Sequence, residues 1–322
     1  MSASAPAVSV LMTMFDAAKH LRAAVESILR QTFADFEFLI VDDGSRDESV
    51  AIAQSFRDPR IRLIRNVENK GQTACLNQGL AEARGQWIAR QDADDLSRPR
   101  RLERQMAHLA KNEGIALLGC QAWIIDGGGR FAGMLNVPRG PASLEWAALF
   151  ENPFIHTAAI FRREAVARLG GYDESFRICQ DYDLWMRLAS EHAGANLPDR
   201  LVMYRHTADS LQHGNRETVR EESRRVRLRA WSRAFPARVM SAEDEAALGD
   251  RAHYARLLAE YRAAHPALAA DRDLRRTAAL HLAQVGRATR GVADLGRAFA
   301  TDPALLLRLA AERIAGPFLV AG

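Results

Sequence analysis

Apolar strands and amphipathic helices alternate without interruption through the first 112 residues of this 322-residue chain. The first strand is predicted at "VSVLMTMF" (8–15), a continuous apolar run typical of strands that are buried on both faces. The helix predicted at 18–32 carries Leu21, Val25 and Ile28 at helical spacing. Strict alternation of this kind predicts a parallel sheet that is covered by helices on both faces.

The same pattern predicts further strands and helices, followed by a different region. Strands are expected at 36–45, 61–66 and 86–91, and helices after Ser45, at 71–85 and at 98–112. Ser45 and Glu48 have the spacing of a capping box, which predicts that a helix begins there. From 115 to about 210 the pattern is irregular, and beyond 215 it is helical. We therefore expect an α/β domain at 1–212 and a helical domain at 213–322.

Composition and charge exclude several classes of protein. The chain is 48% hydrophobic with a net charge of only +4, and no nucleic-acid-reading motif accompanies its arginines, so no nucleic-acid partner is expected. Cys75, Cys120 and Cys179 are odd in number and widely spaced, which predicts no disulfide framework and a reducing compartment. The sequence shows neither a signal-peptide pattern nor the ~20 apolar residues of a membrane-spanning helix, so a cytoplasmic location is expected.

Two acidic clusters lie where strands of the predicted sheet end. Asp42 and Asp43 follow the second strand, and Asp92, Asp94 and Asp95 follow the fourth. Ligands of such sheets bind at the carboxyl ends of the strands, and crowded like charges need a compensating cation. The second cluster fits a solvated turn, a carboxylate pair acting on a sugar, or a metal site that bridges phosphates. The Asp-x-Asp spacing favours Mg²⁺ or Mn²⁺. Asp95 is expected to cap the next helix, and helping to hold the metal is its alternative role.

Six segments occur in an order that carries a resemblance to a known family. They are "VSVLMTMFD", "QTFADFEFLIVDDGSRDES", "NKGQTACLNQGLAEARGQWIARQDADD", "RPRRLERQ", "LGGYDESF" and "QDYDLWMRL". Together they resemble family 2 inverting glycosyltransferases over about residues 8–210. The resemblance implies a GT-A fold, a Rossmann-like and mostly parallel sheet flanked by helices, here followed by the helical region. It also implies a metal-dependent transfer of a sugar from a nucleotide-diphosphate sugar to an acceptor hydroxyl, in cell-surface polysaccharide or glycan biosynthesis.

The resemblance implies which residues bind the donor. Thr13 and Phe15 match the segment that lines the nucleotide pocket, and Asp43 matches the carboxylate that accepts a hydrogen bond from the nucleobase. Lys70 lies where relatives often carry a basic residue near the nucleotide, and a plain surface lysine is the alternative. Asp92 matches the first acid of the DXD motif, which reaches towards the ribose or the metal.

The resemblance also implies a metal ligand and a catalytic base. Asp94 matches the second acid of the DXD motif, the usual ligand of Mn²⁺ or Mg²⁺. His206 resembles a histidine found near the metal or the diphosphate, although its spacing from the neighbouring arginine differs. Asp181 matches the base of a Glu-Asp segment in which Gln180 here replaces the Glu. Asp183, two residues further on, is the competing candidate, and a surface carboxylate is its alternative role.

Partners and rival functions follow from the same resemblance. The expected donor is a UDP-sugar, and the expected acceptor is a glycan or a lipid-linked sugar. A nucleotidyltransferase would need a basic Gly-rich loop after the first strand, which is missing, and a non-catalytic nucleotide-sugar-binding protein is the other alternative. The helical tail has a basic face and scattered aromatic residues, so it either contacts the inner face of the plasma membrane or packs internally. These aromatic residues are Trp231, Phe235, Tyr254, Tyr261 and Phe318.

Overall fold

The computed structural model describes residues 5–206, 215–235, 251–266, 271, 273–274 and 277–278. The chain divides into two compact units. The first comprises Met1–Val137 and Phe154–Glu222, and the second comprises Pro138–Pro153 and the described residues from Ser223 onward. The short segment 138–153 thus groups with the later helices. The domain boundary expected at 212–213 lies outside the described residues.

The first unit is built around one sheet. Its strands are β1 (Val8–Met14), β2 (Phe36–Asp42), β3 (Ile61–Arg65), β4 (Trp87–Asp92), β5 (Leu96–Ser97), β6 (Ile115–Ile125), β7 (Phe131–Leu135), β8 (Ile160–Arg162) and β9 (Ala193–Arg205). Their order in the sheet is β3-β2-β1-β4-β8-β6-β9-β5, and β7 pairs with β6. The helices between them are α1 (Ala18–Leu29), α2 (Ser49–Ser55), α3 (Gln72–Glu82), α4 (Arg101–Leu109), α5 (Pro141–Ala147, in the second unit), α6 (Arg163–Arg168) and α7 (Gln180–Leu188).

Parallel pairing of β1 with β2 and β4 places the polar strand ends at one edge. Every residue of β1 and β2 is buried, as the continuous apolar runs predict. The register sets Thr13 opposite Asp92 and Met14 opposite Asp42. The two acidic clusters therefore follow the neighbouring strands on either side of β1.

The second half of the sheet differs from the expected parallel pattern. Strand β8 runs antiparallel to both β4 and β6, whereas β6 pairs with β9 in parallel. Short β5 pairs antiparallel with the end of β9, so that Ser97 lies opposite Val202. Two expected helix starts are wrong, because α2 begins at Ser49 with no side-chain cap and α4 begins only at Arg101. Asp95 is therefore not a helix cap.

Two further helices follow, α8 (Arg216–Ala234) and α9 (Arg251–Ala264), and α8 begins in the first unit and continues into the second. Aromatic packing organises the second unit. The rings of Trp231 and Phe235 lie 4.9 Å apart, and those of Trp146 and Tyr261 lie 5.1 Å apart. All four residues are buried. Three of the aromatic residues named above for membrane contact are thus interior, and the Tyr254 side chain and Phe318 lie outside the described residues.

Two findings bear on the membrane and on redox chemistry. Within the part of the chain that the structure describes, no helix combines the length and the apolar character that crossing a membrane requires. Cys75, Cys120 and Cys179 are free thiols, and all three are buried.

We predict that Gly44→Ala destabilises the first unit by about 1–3 kcal/mol. Gly44 has a φ of 76°, and a Cβ there would lie 2.9 Å from the Glu68 carbonyl carbon, so the substitution strains the backbone and creates a clash. Equilibrium denaturation measures the loss. Gly114→Ala is the control, because a Cβ at Gly114 meets nothing within 4 Å. Equal stability of the two variants would contradict the prediction.

Candidate active site

The segment Asp92–Asp95, here called the aspartate loop, is held by Arg205 at the end of β9. The Arg205 backbone N–H donates to Asp95 Oδ1 at 2.6 Å, and its Nε donates to the Asp94 carbonyl oxygen at 2.8 Å. Its Nη1 donates to the carbonyl oxygen of Asp126 at 2.9 Å. One residue of a distant strand thus fixes both the backbone and a side chain of the loop.

Arg90 supports the aspartate loop from inside the sheet. Its side chain is fully buried, and its Nη2 pairs with Asp92 Oδ1 at 2.6 Å. The same guanidinium donates to the Leu11 carbonyl oxygen at 2.9 Å and to Thr13 Oγ1 at 3.3 Å. The Asp92 backbone N–H donates to Thr157 Oγ1 at 3.0 Å. Arg90 therefore offsets one of the three carboxylate charges and ties it to β1.

Negative charge remains in excess at the aspartate loop. Burial, followed by the charge of Asp92, raises the pKa of Asp94 to about 6. Burial, followed by the charges of Asp94 and Asp92, raises the pKa of Asp95 well above its usual range, although hydrogen bonds from the Arg205 amide and Thr157 oppose the rise. A nearby cation stabilises the charged form of carboxyl groups in such surroundings.

The donor set of the aspartate loop fits a small divalent cation. Among the residues that the structure describes, no group of three or more His, Cys, Asp or Glu side chains forms a complete metal site. Sites for Mg²⁺ and Mn²⁺ often use only one or two carboxylates and complete the set with water and substrate phosphates. Asp94, half-buried and repelled by Asp92, meets that description.

Two aspartates of α7 differ in what they contact. Asp181 lies in the first turn and accepts the Tyr182 backbone N–H at 2.8 Å. Asp183 is fully buried and accepts Arg187 Nε at 2.7 Å, one helical turn away. Arg187 also donates to the carbonyl oxygens of Leu169 and Gly171, at 3.0 and 2.8 Å. Asp183 is therefore a buried, ion-paired residue inside the first unit, and its alternative role as a surface carboxylate is wrong.

Tyr204, next to Arg205 on β9, is influenced by the charges of both the aspartate loop and α7. Burial raises the pKa of the Tyr204 phenol above its usual range, and four carboxylate charges raise it further. These charges belong to Asp95, Asp92, Asp94 and Asp181. Asp181 and the aspartate loop therefore act electrostatically on the same side chain.

A hydrogen-bonded pair inside the first unit is influenced by the same groups. His156 Nε2 and the Tyr172 hydroxyl are 3.1 Å apart. Burial, followed by the charge of Arg90, lowers the pKa of His156 well below its usual range, so the imidazole is neutral. Burial raises the pKa of Tyr172, and the charges of Asp181 and Asp92 raise it further against the opposing charge of Arg90. His156 is thus a neutral hydrogen-bonding residue in a charged neighbourhood.

The residues expected at the nucleotide lie at and beyond the ends of β1 and β2. Asp43 Oδ1 accepts the Lys70 backbone N–H at 2.7 Å, and Oδ2 accepts the Gly71 N–H at 2.9 Å. The Lys70 side chain is exposed, and Phe15 is 45% exposed just after β1. Thr13 is buried beside the Arg90 guanidinium. Asp43 therefore holds the loop that carries Lys70, and nucleotide binding by these residues stays a prediction.

The start of α7 lies against the start of α3. Thr73 Oγ1 donates to the Phe176 carbonyl oxygen at 2.8 Å, and Gln180 Nε2 donates to Gln72 Oε1 at 3.2 Å. Helix α3 begins directly after the loop that Asp43 holds at the end of β2. The first turn of α7 is therefore at the edge of the sheet where β1, β2 and β4 end.

Sequence reasoning missed the two arginines that support the aspartate loop. Arg90 has a visible signal, because it is a charged residue inside the strand that leads to the aspartates. Arg205 has no comparable signal, since in the sequence it stands out only as the neighbour of His206.

The half-buried His206 donates its backbone N–H to the Ile125 carbonyl oxygen at 2.9 Å, at the end of β6. A role for His206 at a metal stays a prediction.

Comparison with known proteins identifies the family of the chain. The family model described as Glycosyl transferase family 2 matches residues 9–170. Putative glycosyltransferase EpsE of Bacillus subtilis is 36% identical over 216 residues, which cover 65% of this chain and 76% of EpsE. The amylovoran biosynthesis glycosyltransferase AmsE of Erwinia amylovora is 31% identical, covering 63% of this chain and 77% of AmsE.

Solved structures show the same fold. The structure of S. aureus TarS 1–349 in complex with UDP-GlcNAc matches with a TM-score of 0.54 and 16% identity, covering 93% of this chain and 91% of that one. The mannosyltransferase PcManGT of Pyrobaculum calidifontis, in complex with GDP-Man and Mn²⁺, matches with a TM-score of 0.53 and 20% identity, covering 95% and 81%. The GT-A fold class predicted from the sequence is confirmed.

A mixed sheet flanked by helices, with acidic residues where its parallel strands end, defines a protein of the GT-A class. The family follows from the matched residues 9–170 and from the similarity to EpsE. The chain belongs to glycosyl transferase family 2.

We predict that Asp183→Asn destabilises the protein by about 2–4 kcal/mol, because it leaves the Arg187 guanidinium without its buried partner. Glu164→Gln is the matched control. It removes the partner of Arg168 at the same helical spacing, but both side chains are more than half exposed, so about 0.5 kcal/mol or less is expected. Chemical denaturation compares the variants. Similar losses for both would mean that the Asp183 pair contributes no more than a surface pair.

Proposed function

We propose that the chain is a metal-dependent inverting glycosyltransferase that transfers a sugar from a nucleotide-diphosphate sugar to an acceptor hydroxyl group. One observation carries the proposal: the first turn of α7, which bears Asp181, lies against the start of α3, at the edge of the sheet where β4 leads into the aspartate loop. A single-displacement transfer needs a proton acceptor on one side of the sugar and charge compensation on the other. Asp181 and the aspartate loop meet these two needs.

The proposed reaction is one in-line displacement. The acceptor hydroxyl oxygen forms a bond to the anomeric carbon, while the bond from that carbon to the diphosphate oxygen breaks and the diphosphate keeps the electron pair. Asp181 accepts the hydroxyl proton. Asp183 is unsuited to this role, since it is fully buried and paired with Arg187. A single displacement inverts the configuration at the anomeric carbon.

The donor binds, in this proposal, along the carboxyl ends of β1, β2 and β4. Thr13, Phe15 and Lys70 contact the nucleotide, and Asp43 accepts a hydrogen bond from the base. The two backbone bonds to Asp43 leave further lone pairs on its oxygens, so it can accept another donor. A UDP-sugar is the proposed donor. The structures of TarS with UDP-GlcNAc and of PcManGT with GDP-Man support a nucleotide sugar.

Asp94 and Asp92 are the proposed residues that hold Mn²⁺ or Mg²⁺ together with the donor phosphates, and His206 is a further candidate ligand. The raised pKa of Asp94 supports this assignment, because it reflects burial of the carboxylate and, second, the neighbouring charge of Asp92. When bound, the cation would offset the negative charge that develops on the leaving diphosphate. The PcManGT structure, solved with Mn²⁺, supports a divalent ion in this fold.

The acceptor is proposed to be a glycan or a lipid-linked sugar in cell-surface polysaccharide biosynthesis. The name of a relative supports this, since AmsE is an amylovoran biosynthesis glycosyltransferase. We place the reaction in the cytoplasm, with peripheral contact to the inner face of the plasma membrane through α8. Helix α8 carries exposed arginines that suit an anionic lipid surface, whereas its one aromatic residue, Trp231, is buried. These arginines are Arg216, Arg220, Arg224, Arg229 and Arg233.

Asp94→Ala is expected to abolish both transfer and Mn²⁺-dependent donor binding while the fold persists, because it removes the main carboxylate of the proposed metal site. Calorimetric titration of a panel of nucleotide sugars, with and without Mn²⁺, measures binding and identifies the donor. Asp35→Ala is the control, since Asp35 is exposed at the opposite end of β1. Full activity of the Asp94→Ala protein would refute the metal assignment.

Asp181→Asn is expected to lower kcat by about 10²- to 10⁴-fold, the usual contribution of a positioned general base. Donor binding should be unchanged, because the base faces the acceptor. Single-turnover kinetics gives the rate, and NMR of the product gives the anomeric configuration, which should be inverted. A variant that turns over normally, or a product with retained configuration, would overturn the mechanism. Donor binding without any transfer by the wild-type protein would favour the non-catalytic alternative.

A further inference from the structure

Three consecutive backbone amides just before α7 donate to one carboxylate. The N–H of Arg177 donates to Glu222 Oε1 at 2.8 Å, and those of Ile178 and Cys179 donate to Glu222 Oε2 at 3.0 and 2.9 Å. Glu222 lies on α8, 43 residues after Cys179, and is only 5% exposed. A buried carboxylate that accepts three amides is a specific contact between distant parts of the first unit.

This contact lies immediately before the N-terminal end of α7. Cys179 occupies the N-cap position of α7, and its own side chain does not cap the helix. Amides at the start of a helix need acceptors, and a negative charge there is favourable. From α8, Glu222 accepts the N-cap amide of Cys179 and the two amides before it, and it brings a carboxylate close to the start of α7. A second contact joins the same elements, since Cys179 Sγ lies 3.8 Å from the Val219 carbonyl oxygen.

The capped segment leads directly to the proposed base. Asp181 is two residues after Cys179, in the first turn of α7, and its carboxylate accepts the N–H of Tyr182 in the same turn. The side chain of the intervening Gln180 is bonded to α3. A shift of the backbone at 177–179 therefore moves the Asp181 carboxylate. Displacements of about 1 Å in a reacting group lower rates strongly.

We propose that Glu222 is a positioning residue, which fixes the backbone at 177–179 and thereby aligns Asp181 with the acceptor hydroxyl. The inference rests on the proposed role of Asp181 as the base. Glu222 touches neither substrate nor the reacting atoms, and it acts only through the start of α7. Through Glu222, α8 consequently supports the backbone that leads into α7.

Kinetics of Glu222 variants tests the proposal. Glu222→Gln and Glu222→Ala should lower kcat by about 10- to 100-fold, with the KM and Kd for the donor unchanged. Glu221→Gln is the matched control, because this neighbouring side chain is exposed, and it should be fully active. Sodium acetate should restore part of the kcat of Glu222→Ala by binding to the vacated amides. Thermal unfolding of each variant shows whether it is folded at the assay temperature.

A double-variant cycle separates positioning from general stability. In the Asp181→Asn background, Glu222→Gln should cause no further loss of kcat, because Glu222 acts through the Asp181 carboxylate. A wild-type kcat for Glu222→Gln, an additive loss in the double variant, a loss of donor binding, or unfolding of both Glu222 variants would each overturn the positioning role. If Asp181→Asn itself keeps normal turnover, the proposed function fails, and the positioning role fails with it.

Discussion

Repulsion among the carboxylates that follow β4 is the constraint on which the first unit depends. Three aspartates in four positions repel one another at a buried strand end, and nearby cations or the uptake of protons relieve this repulsion. Arg90 supplies one positive charge from within the sheet, and Arg205 supplies another from the end of β9. The β5–β9 pairing that follows the loop holds Arg205 in reach of it. The topology of the second half of the sheet thus supports the loop.

The two arginines compensate the negative charge of the aspartate loop only in part, and the electrostatics of Asp94 show this. Arg90 forms an ion pair with the Asp92 carboxylate, whereas Arg205 donates a hydrogen bond to the backbone carbonyl oxygen of Asp94. The charges of Arg205 and Arg90 lower the pKa of Asp94, but burial and the charge of Asp92 outweigh them and raise it to about 6. A fully neutralised loop would be under less repulsion but would have little affinity for a cation. The arrangement holds the loop geometry, and in the proposed function the charge on Asp94 is available to a cation.

Much of the first unit could be predicted from the sequence, because the determining signals are local. The strands predicted at 8–15 and 36–45 match β1 and β2 to within a few residues. The ordered motifs pointed to the aspartate loop and Asp181, whose roles stay predictions. The antiparallel strand β8 and the short strand β5 could not be predicted, since both are defined by pairing partners far away in the chain. The predicted start of α4 was wrong for a related reason. The Asp95 carboxylate accepts a hydrogen bond from the backbone N–H of Arg205, which is far away in the chain, and does not cap a helix.

The sequence carries a weaker signal for the contact at Glu222. On α8 the apolar residues Val219, Val226 and Ala230 share one face, and Glu222, three residues after Val219 and four before Val226, lies on that same face. An acid inside an apolar stripe is seldom buried without a partner. Its partner cannot be deduced, because backbone amides of any loop can serve. A buried acid on the inner face of a helix therefore predicts that the helix holds some distant backbone, and only the fold reveals that this backbone leads to Asp181.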